Sequence, residues 1–367
     1  MDYTAQGIQQ LVRVQIIDRA TGRELAQLDG VKAASVDWDL NRAIRGGGSV
    51  TVDLRQPVLW RKVNVRLWVV LRHRGQQETH PMLTGIPAVS ESSRALGATR
   101  VEVVLQDMTS VLDRLLGRTW MYPVGTVVTT AVRAILATLG VPAVSITDST
   151  LTTRAVITAD PGDTYRRLIN DLLEAAGYGA IYATPRGALV AAPYALPADR
   201  PDLAPTREPG LTATHKADLT VSITERIPNH FVVLSRGDGE SPQLIAEGFN
   251  DDPDNPWSTV NQGVISAEPY DVEAADQATL NGHLARIMSE WRWRPRMIGM
   301  EWRWAPISAT RELELGDVGR VRAPGYVDAG VEVAEPIDIR ASVESMSWSY
   351  ADGQPLSAVR AVLKEVG

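Results

Sequence analysis

Between Gln106 and Tyr194 the apolar residues of this chain recur with the period of a helix, while on either side they recur with the period of a strand. That order of parts predicts an α+β, mainly β protein in which a small helical block separates two β-rich regions. Ahead of the block, residues 11–17 (LVRVQII), 50–54 (VTVDL), 63–71 (VNVRLWVVL) and 100–106 (RVEVVLQ) alternate or run apolar over strand lengths. In the third of these, Val63, Val65, Leu67, Val69 and Leu71 share one face. Arg45-Gly-Gly-Gly-Ser49 and His80-Pro81 are expected to punctuate the strands as loops. Strands without a long helix between them predict a barrel or sandwich over 1–106.

Within the block, Met108, Val111, Leu112 and Leu115 fit one helical face closed by Gly117. Val128, Val132, Ile135, Leu136 and Leu139 predict a second helix, ending at Gly140 with Pro142 beyond it. A third has Asp163 or Thr164 as its cap, a stripe from Tyr165 to Ala176, and Gly177 after its end. Residues 179–192 predict strand, Thr184-Pro-Arg-Gly187 turn, strand. Residues 107–194 are therefore expected to be a small α/β domain. The prolines at 193, 197, 201, 205 and 209 make 195–210 an extended linker. Strands at 219–224, 230–235, 297–305, 313–323, 331–341, 343–350 and 356–364 predict a second β domain over 211–367. A flanking helix is expected at 272–291, capped by Asp271 and ended by Pro295, with a candidate peripheral insertion at 237–270.

Composition removes several classes of function. There is no cysteine in 367 residues, which excludes disulfides, thiolate zinc sites, iron–sulfur clusters and cysteine nucleophiles. The N-terminus MDYTAQGIQQLVRV has no basic stretch followed by an apolar one, so no cleaved signal peptide is expected. The apolar runs are too short to span a bilayer, and synthesis in the cytoplasm follows. HExxH, GxSxG and Walker A patterns are missing, and His73, His80, His215, His230 and His283 lack metal-ligand spacing. No catalytic, cofactor-binding or metal residue is assigned. Asn250-Asp-Asp-Pro-Asp-Asn255 offers calcium ligands, but without the glycine and distant glutamate of an EF-hand an exposed turn is the expectation.

Charge is unevenly placed within a net of −7: 16 basic against 12 acidic residues over 1–120, 7 against 8 over 121–210, and 14 against 24 over 211–367. Either composition drifts between domains, or unlike faces meet across subunits and the acidic part borders a path that must not retain nucleic acid. The motif Glu290-Trp-Arg-Trp293 recurs as Glu301-Trp-Arg-Trp304. Trp291, Trp293, Trp302, Arg303 and Trp304 are candidates for a stacking or interface cluster, or else for core with arginine stems over it. On a strand, Trp302 and Trp304 would share a face opposite Arg303.

The strand-rich first part, the segment Asp107-Met-Thr-Ser-Val-Leu-Asp-Arg-Leu-Leu116, Thr119-Trp120, the two-helix unit and the turn Leu315-Gly-Asp-Val-Gly-Arg-Val-Arg322 resemble the hub proteins at the tip of long bacteriophage tails. By order of parts the resemblance covers nearly the whole chain. It implies two tail-tube-like β-barrel domains with a peripheral α/β domain between them, and a homotrimer whose six barrels match a sixfold tail tube. It further implies a structural virion protein without enzymatic activity or cofactor. Its implied partners are a distal tail protein or tube ring, a tape-measure protein, and a central spike, fibre or other tip protein. Genomic DNA would pass through without specific binding, and the chain would insert into no membrane. Since the chain stops at Gly367 without the extensions of longer tip proteins, host binding is expected of a separate protein. The rival expectations are a cell-wall hydrolase, a glycan-binding module using Trp302 and Trp304, and the hub of a cellular contractile injection device.

Overall fold

The computed structural model describes residues 7–366 apart from 55–57, 96–97, 142, 205, 209–214, 224–226, 236–242, 292–295, 309, 324–335 and 352–357. The first β-rich part supplies β1 (Gln9–Asp18), β2 (Glu24–Leu28), β3 (Val31–Asp39), β4 (Gly46–Leu54), β5 (Val63–His73), β6 (Gln76–Ala95) and β7 (Ala98–Asp107). The helical block holds β8 (Trp120–Tyr122), α1 (Val128–Thr138), β9 (Val144–Ile146), β10 (Ile157–Ala159), α2 (Tyr165–Ala175), β11 (Tyr182–Ala183) and β12 (Leu189–Ala191). The last part contains β13 (His215–Ile223), β14 (His230–Ser235), β15 (Leu244–Phe249), α3 (Thr259–Gln262), β16 (Tyr270–Asp271) and α4 (Gln277–Trp291). It closes with β17 (Arg296–Arg303), β18 (Val318–Ala323), β19 (Ile337–Ala351) and β20 (Ala358–Glu365).

The mainly β, α+β class is what the structure shows. Its strands from both β-rich parts join one 12-stranded sheet, in the order β13-β17-β20-β19-β3-β4-β7-β6-β5-β1-β2 with β18 on β19. No closed barrel is present among the described residues. The joint is β19, whose N-terminal half pairs with β18 through Ile337–Ser342 and whose C-terminal half pairs with β3 through Ser345–Ala351. A register shift between Val343 and Ser345 lies where one neighbour gives way to the other. Strand β6 does the same on the other side: residues up to Gly85 pair with β5, and those from Gly85 on pair with β7. One hydrophobic cluster runs under both parts, from Val14, Leu67 and Leu105 to Trp302, Val343 and Leu363.

Two expected loops are strand. Residues Gly46 to Gly48 open β4 because they let backbones and rings come close. A Cβ at Gly46 would stand 2.4 Å from the Trp38 ring, and one at Gly48 would stand 2.3 Å from the Ser35 carbonyl. His80-Pro81 lies inside β6, where Pro81 faces Trp68 at a slip in register between Leu67 and Trp68. The proline's missing N–H falls where the ladder is already broken.

The helical block has its own core, with Leu112, Val132, Ile135, Leu168, Leu172 and Leu189 buried. Helices α1 and α2 fall on the predicted stripes; Thr164 caps α2 by accepting from the Arg167 N–H, and Gly177 follows its end at φ +70°. Residues Met108–Asp113 form a 3₁₀ turn, not an α-helix. Asp107 accepts from the Thr109 N–H at its start, and the chain then leaves in extended form to bridge Leu115 with Thr164. The third module packs β14, β15 and β16 against α4 around Phe231, Val233 and Leu280. Helix α4 starts at Gln277 and not at 272, and Asp276 caps it in place of Asp271, accepting from the Thr279 N–H at 2.7 Å. The N–H groups of Val272, Glu273, Ala274 and Ala275 donate to Leu234, Glu174, Ser235 and Ala175, which tie this stretch to β14 and the end of α2 as non-helical chain before α4 begins.

The proline-rich connector is not a free linker. Leu203, Ala204 and Arg207 donate to the carbonyls of Val318 and Arg320, and Arg322 donates back to Arg207, so the connector runs parallel beside β18. Strands expected at 331–341 and 343–350 are one strand, β19, from Ile337 on; positions 331–335, like Trp293 and Pro295, lie outside the described residues.

A candidate functional site in the central cleft

Arg166 of α2 fixes the helical block to the sheet, pairing with Asp113 and donating to the carbonyls of Ala43 and Thr109. On the other side, Thr84 and Arg66 of the sheet donate to the carbonyls of Pro185 and Arg186 at 2.9 Å each. The third module leans on the C-terminus of α2, where the buried His283 donates from Nε2 to the Glu174 carbonyl at 3.0 Å. Braced in this way, the three modules and the connector enclose a cleft of about 1140 Å³. Its walls are β3 and the loop that precedes β4, Pro81 and Met82 of β6, the edge around β11, the connector from Pro193 to Arg200, the exposed end of α4, the loop 311–317, β19, and the end of β20 with Lys364.

Aromatic and charged side chains share these walls. Trp38, Trp304, Trp348, Tyr182 and Tyr194 supply the rings. The arginines are already engaged. Arg45 lies over Tyr182 at 5.4 Å and Arg286 over Tyr194 at 5.3 Å. Arg200 donates to the carbonyls of Ala195 and Gly316, and Arg311 pairs with Asp317 at 2.6 Å. The carboxylates are less well served. Among the described residues Glu314 and Glu344 have no ion pair within 4 Å, and Lys364 on the same wall is the chief favourable charge acting on Glu344. The indole N–H of Trp348 and the Nε–H of Arg311 are buried with no acceptor among the described residues.

Burial pushes the carboxyls of Glu314, Asp317 and Glu344 above their ordinary values, with Asp317 and Glu290 as repelling neighbours of Glu314 and Glu344. Burial likewise raises the phenols of Tyr182 and Tyr194, and lowers the Arg45 guanidinium. The folded value of Glu344 lies above the unfolded one of 4.5, so the charge costs stability above the folded value, and the cost is relieved as pH falls toward 4.5. Glu344→Gln is therefore expected to raise the melting temperature at pH 8, with the gain shrinking as pH falls. Thermal scans of both proteins across that range check it; a gain that persists unchanged into acid would contradict this assignment.

The tryptophan cluster of the sequence is dispersed. Trp302 is 2% exposed and lies in the core beneath Arg207, whose guanidinium is 4.4 Å from the ring. Trp304 is buried against His80 and reaches the cleft wall. Arg303 is half-buried on the opposite face of β17. Trp291 packs into the third module at the end of α4. Trp302 and Trp304 thus form no shared exposed platform for a glycan. The acidic turn 250–255 spends its acceptors internally: Asp252 accepts from Asp254, Asn255 from Trp257, and the carbonyls of 253 and 255 from Asn261. Among the described residues no three acidic or histidine side chains are grouped to hold a metal. What the sequence missed is the cleft itself; Glu314, Glu344 and the β11 edge carry no motif and come together only through packing.

No family model and no curated protein matches this sequence. Solved structures do match it in shape. A tail protein from Neisseria meningitidis MC58 is 15% identical, with 96% of each chain covered and a TM-score of 0.63. The 43 kDa tail protein of prophage MuSo2 from Shewanella oneidensis is 14% identical, covering 96% of this chain and 98% of that one at a TM-score of 0.59. The lidless PdpA–VgrG complex aligns 98% of this chain with 65% of its own at 8% identity and a TM-score of 0.55. Over nearly its whole length, the chain has the fold of phage tail proteins.

Proposed function

We propose that this chain is a structural protein of a phage tail tip: a homotrimeric hub that adapts a sixfold tube or distal-tail ring to a threefold tip and lines the ejection channel. The observation that carries this reading is the 12-stranded sheet that spans both β-rich parts and ends in two edges, β2 and β13, with no strand neighbour beyond them among the described residues. Open edges invite pairing, and a head-to-tail contact repeated through the right rotation closes a ring without leaving an edge. Boundaries at 1–106, 107–194, 195–210 and 211–367 belong to the same proposal, as do tape-measure, spike and fibre partners. A cell-wall hydrolase is the rival reading, separated by zymography on host envelopes. The hub of a cellular injection device remains the neighbouring reading, favoured by the PdpA–VgrG likeness, and is separated by whether the chain copurifies with virions.

Mass photometry of the purified chain tests the oligomer. The expected result is a species of about 120 kDa, three copies of a 40.0 kDa chain, with annular images in negative stain. Leu25, 55% exposed on β2, is the place to disturb it. Leu25→Lys sets a charge on the edge and is expected to abolish the trimer while shifting monomer stability by no more than about 0.5 kcal/mol. A variant that trimerises as the parent does would remove β2 from the interface.

A further inference from the structure

We infer that β15, the open edge of the third module, takes on an extended basic segment of another protein as an added strand. Among the described residues β15 has β14 as its one strand neighbour, in the order β15-β14-β16. The bonds made by β14 and the turn beyond β15 fix which main-chain groups are spent. His230 gives its N–H to Ile265 and its carbonyl to Ala267, Leu234 gives its carbonyl to Val272, and Asn250 donates to Asn229. His230 and Leu234 are thus turned away from β15, and in an antiparallel ladder the bonded pairs alternate. They are Phe231 with Gly248, Val233 with Ala246 and Ser235 with Leu244. Ile245, Glu247 and Phe249 therefore point their N–H and C=O groups outward. The Ile245 carbonyl accepts from the Gln277 side chain at 3.1 Å. The main-chain groups of Glu247 and Phe249 have no strand beside them among the described residues, and these are what an added strand pairs with.

The side chains select the guest. Ile245 is 57% and Phe249 43% exposed, and they flank Glu247 on the outer face. Helix α4 closes the inner face, where a Cβ at Gly248 would stand 2.4 Å from the Met288 sulfur. His230 steadies the outer row: its ring stacks on Phe249 with centroids 4.4 Å apart, and its nitrogens meet Ser266 and Glu247 at 2.8 Å each. The strand LIAEGF has neither the proline nor the lysine that commonly blunts an exposed edge. Its surroundings are anionic, with 11 acidic residues against 2 basic ones over 227–291. Asp251 and Asp254 follow one end of the edge, and Asp276, next to Gln277, stands by the other. A second copy laid antiparallel on the same edge and centred there would set Glu247 against Glu247, which repels. A segment with Arg or Lys opposite Glu247, and apolar residues two positions to either side, matches charge to charge and apolar surface to Ile245 and Phe249. The edge is separate from β2 and β13, so this inference does not rest on the trimer.

The test uses the full chain and the peptide fluorescein-Gly-Lys-Val-Thr-Arg-Thr-Tyr-Lys-amide, followed by fluorescence polarisation and by hydrogen exchange read residue by residue. The expected result is saturable binding with new protection at the amides of Glu247 and Phe249, and none added at Ala246 and Gly248, which the ladder already holds. Glu247→Lys is expected to weaken binding about fivefold or more, and to bind the same peptide with Glu in place of Arg better than the parent does. Thermal scans of the variant establish that it is folded. Failure to bind, equal binding of a shuffled peptide of the same composition, or protection confined to residues outside 244–249 would overturn the proposal. So would protection of Glu247 and Phe249 that rises with protein concentration in the absence of peptide, which would give the edge to a second copy. Mass photometry on the same sample keeps this apart from the hub reading. A trimer that ignores the peptide defeats the β15 site alone, and a monomer that binds it defeats only the trimeric hub.

Discussion

Trp302→Ala is expected to cost about 3–5 kcal/mol and to leave most of the protein insoluble. Trp302 sits in β17 between β13 and β20 and is among the largest fully buried side chains. Its removal does two kinds of damage. It opens a cavity between the sheet and the connector, and it strips the indole face from Arg207, which is 8% exposed. Burial already lowers Arg207 from its ordinary value to about 10, with no acidic partner among the causes, so the ring is what compensates that cation. Since a domain is stable by only about 5–15 kcal/mol, the loss is a large share of the total. Trp302→Phe keeps an aromatic face and should recover soluble protein. Denaturant midpoints of the two variants check this, and an alanine variant as stable as the parent would show that the connector does not lean on this residue.

The second large effect is expected at Asp107, the last residue of β7. It is fully buried and accepts from the N–H of Gly46 at 2.7 Å, from the N–H of Thr109 at 2.8 Å and from the Thr109 hydroxyl. One carboxylate therefore holds the start of β4, the end of β7 and the 3₁₀ turn that leads into the helical block. Asp107→Ala orphans two backbone donors and a hydroxyl, at about 1–3 kcal/mol for each buried group, so a loss of at least about 3 kcal/mol is expected. Relief of the buried charge offsets part of it, because burial holds this carboxyl above its ordinary value despite those hydrogen bonds. Asp107→Asn keeps one acceptor and removes the charge, and should lose less than the alanine variant. Hydrogen exchange should show the loss first at the junction of β7 with the helical block. If the alanine variant melts with the parent and exchanges no faster there, Asp107 is not what holds the junction.

Periodicity alone was enough wherever one face of a regular element is buried. The stripes of α1 and α2, the alternation of β5 and β7, and the turn at Thr184–Gly187 are local patterns set by 3.6- and 2-residue repeats, and they lie where the sequence puts them. Elements fixed by contacts from far along the chain were misread for the same physical reason. Gly46–Gly48 looks like a loop until Trp38 and the Ser35 carbonyl are found lying against it. His80-Pro81 looks like a break until the bulge opposite Trp68 accommodates it. Residues 272–275 look helical until they are found tied to β14 and the end of α2 as non-helical chain.

Composition and short repeats settle the class of the protein: mainly β with an α/β block, no thiol chemistry, no catalytic motif, and a charge that drifts from basic to acidic along the chain. Those properties are sums over residues or short-range repeats, so they need no knowledge of what touches what. Long-range contacts are what join the two β-rich parts in one sheet through β19 and β3, strap the proline connector to β18, and put Trp302 and Trp304 in the interior. They alone place Glu314, Glu344 and the β11 edge around one cleft. Pairing between strands some three hundred residues apart, and the burial of a carboxylate between modules, depend on closing long loops around a common core, and no local period encodes them.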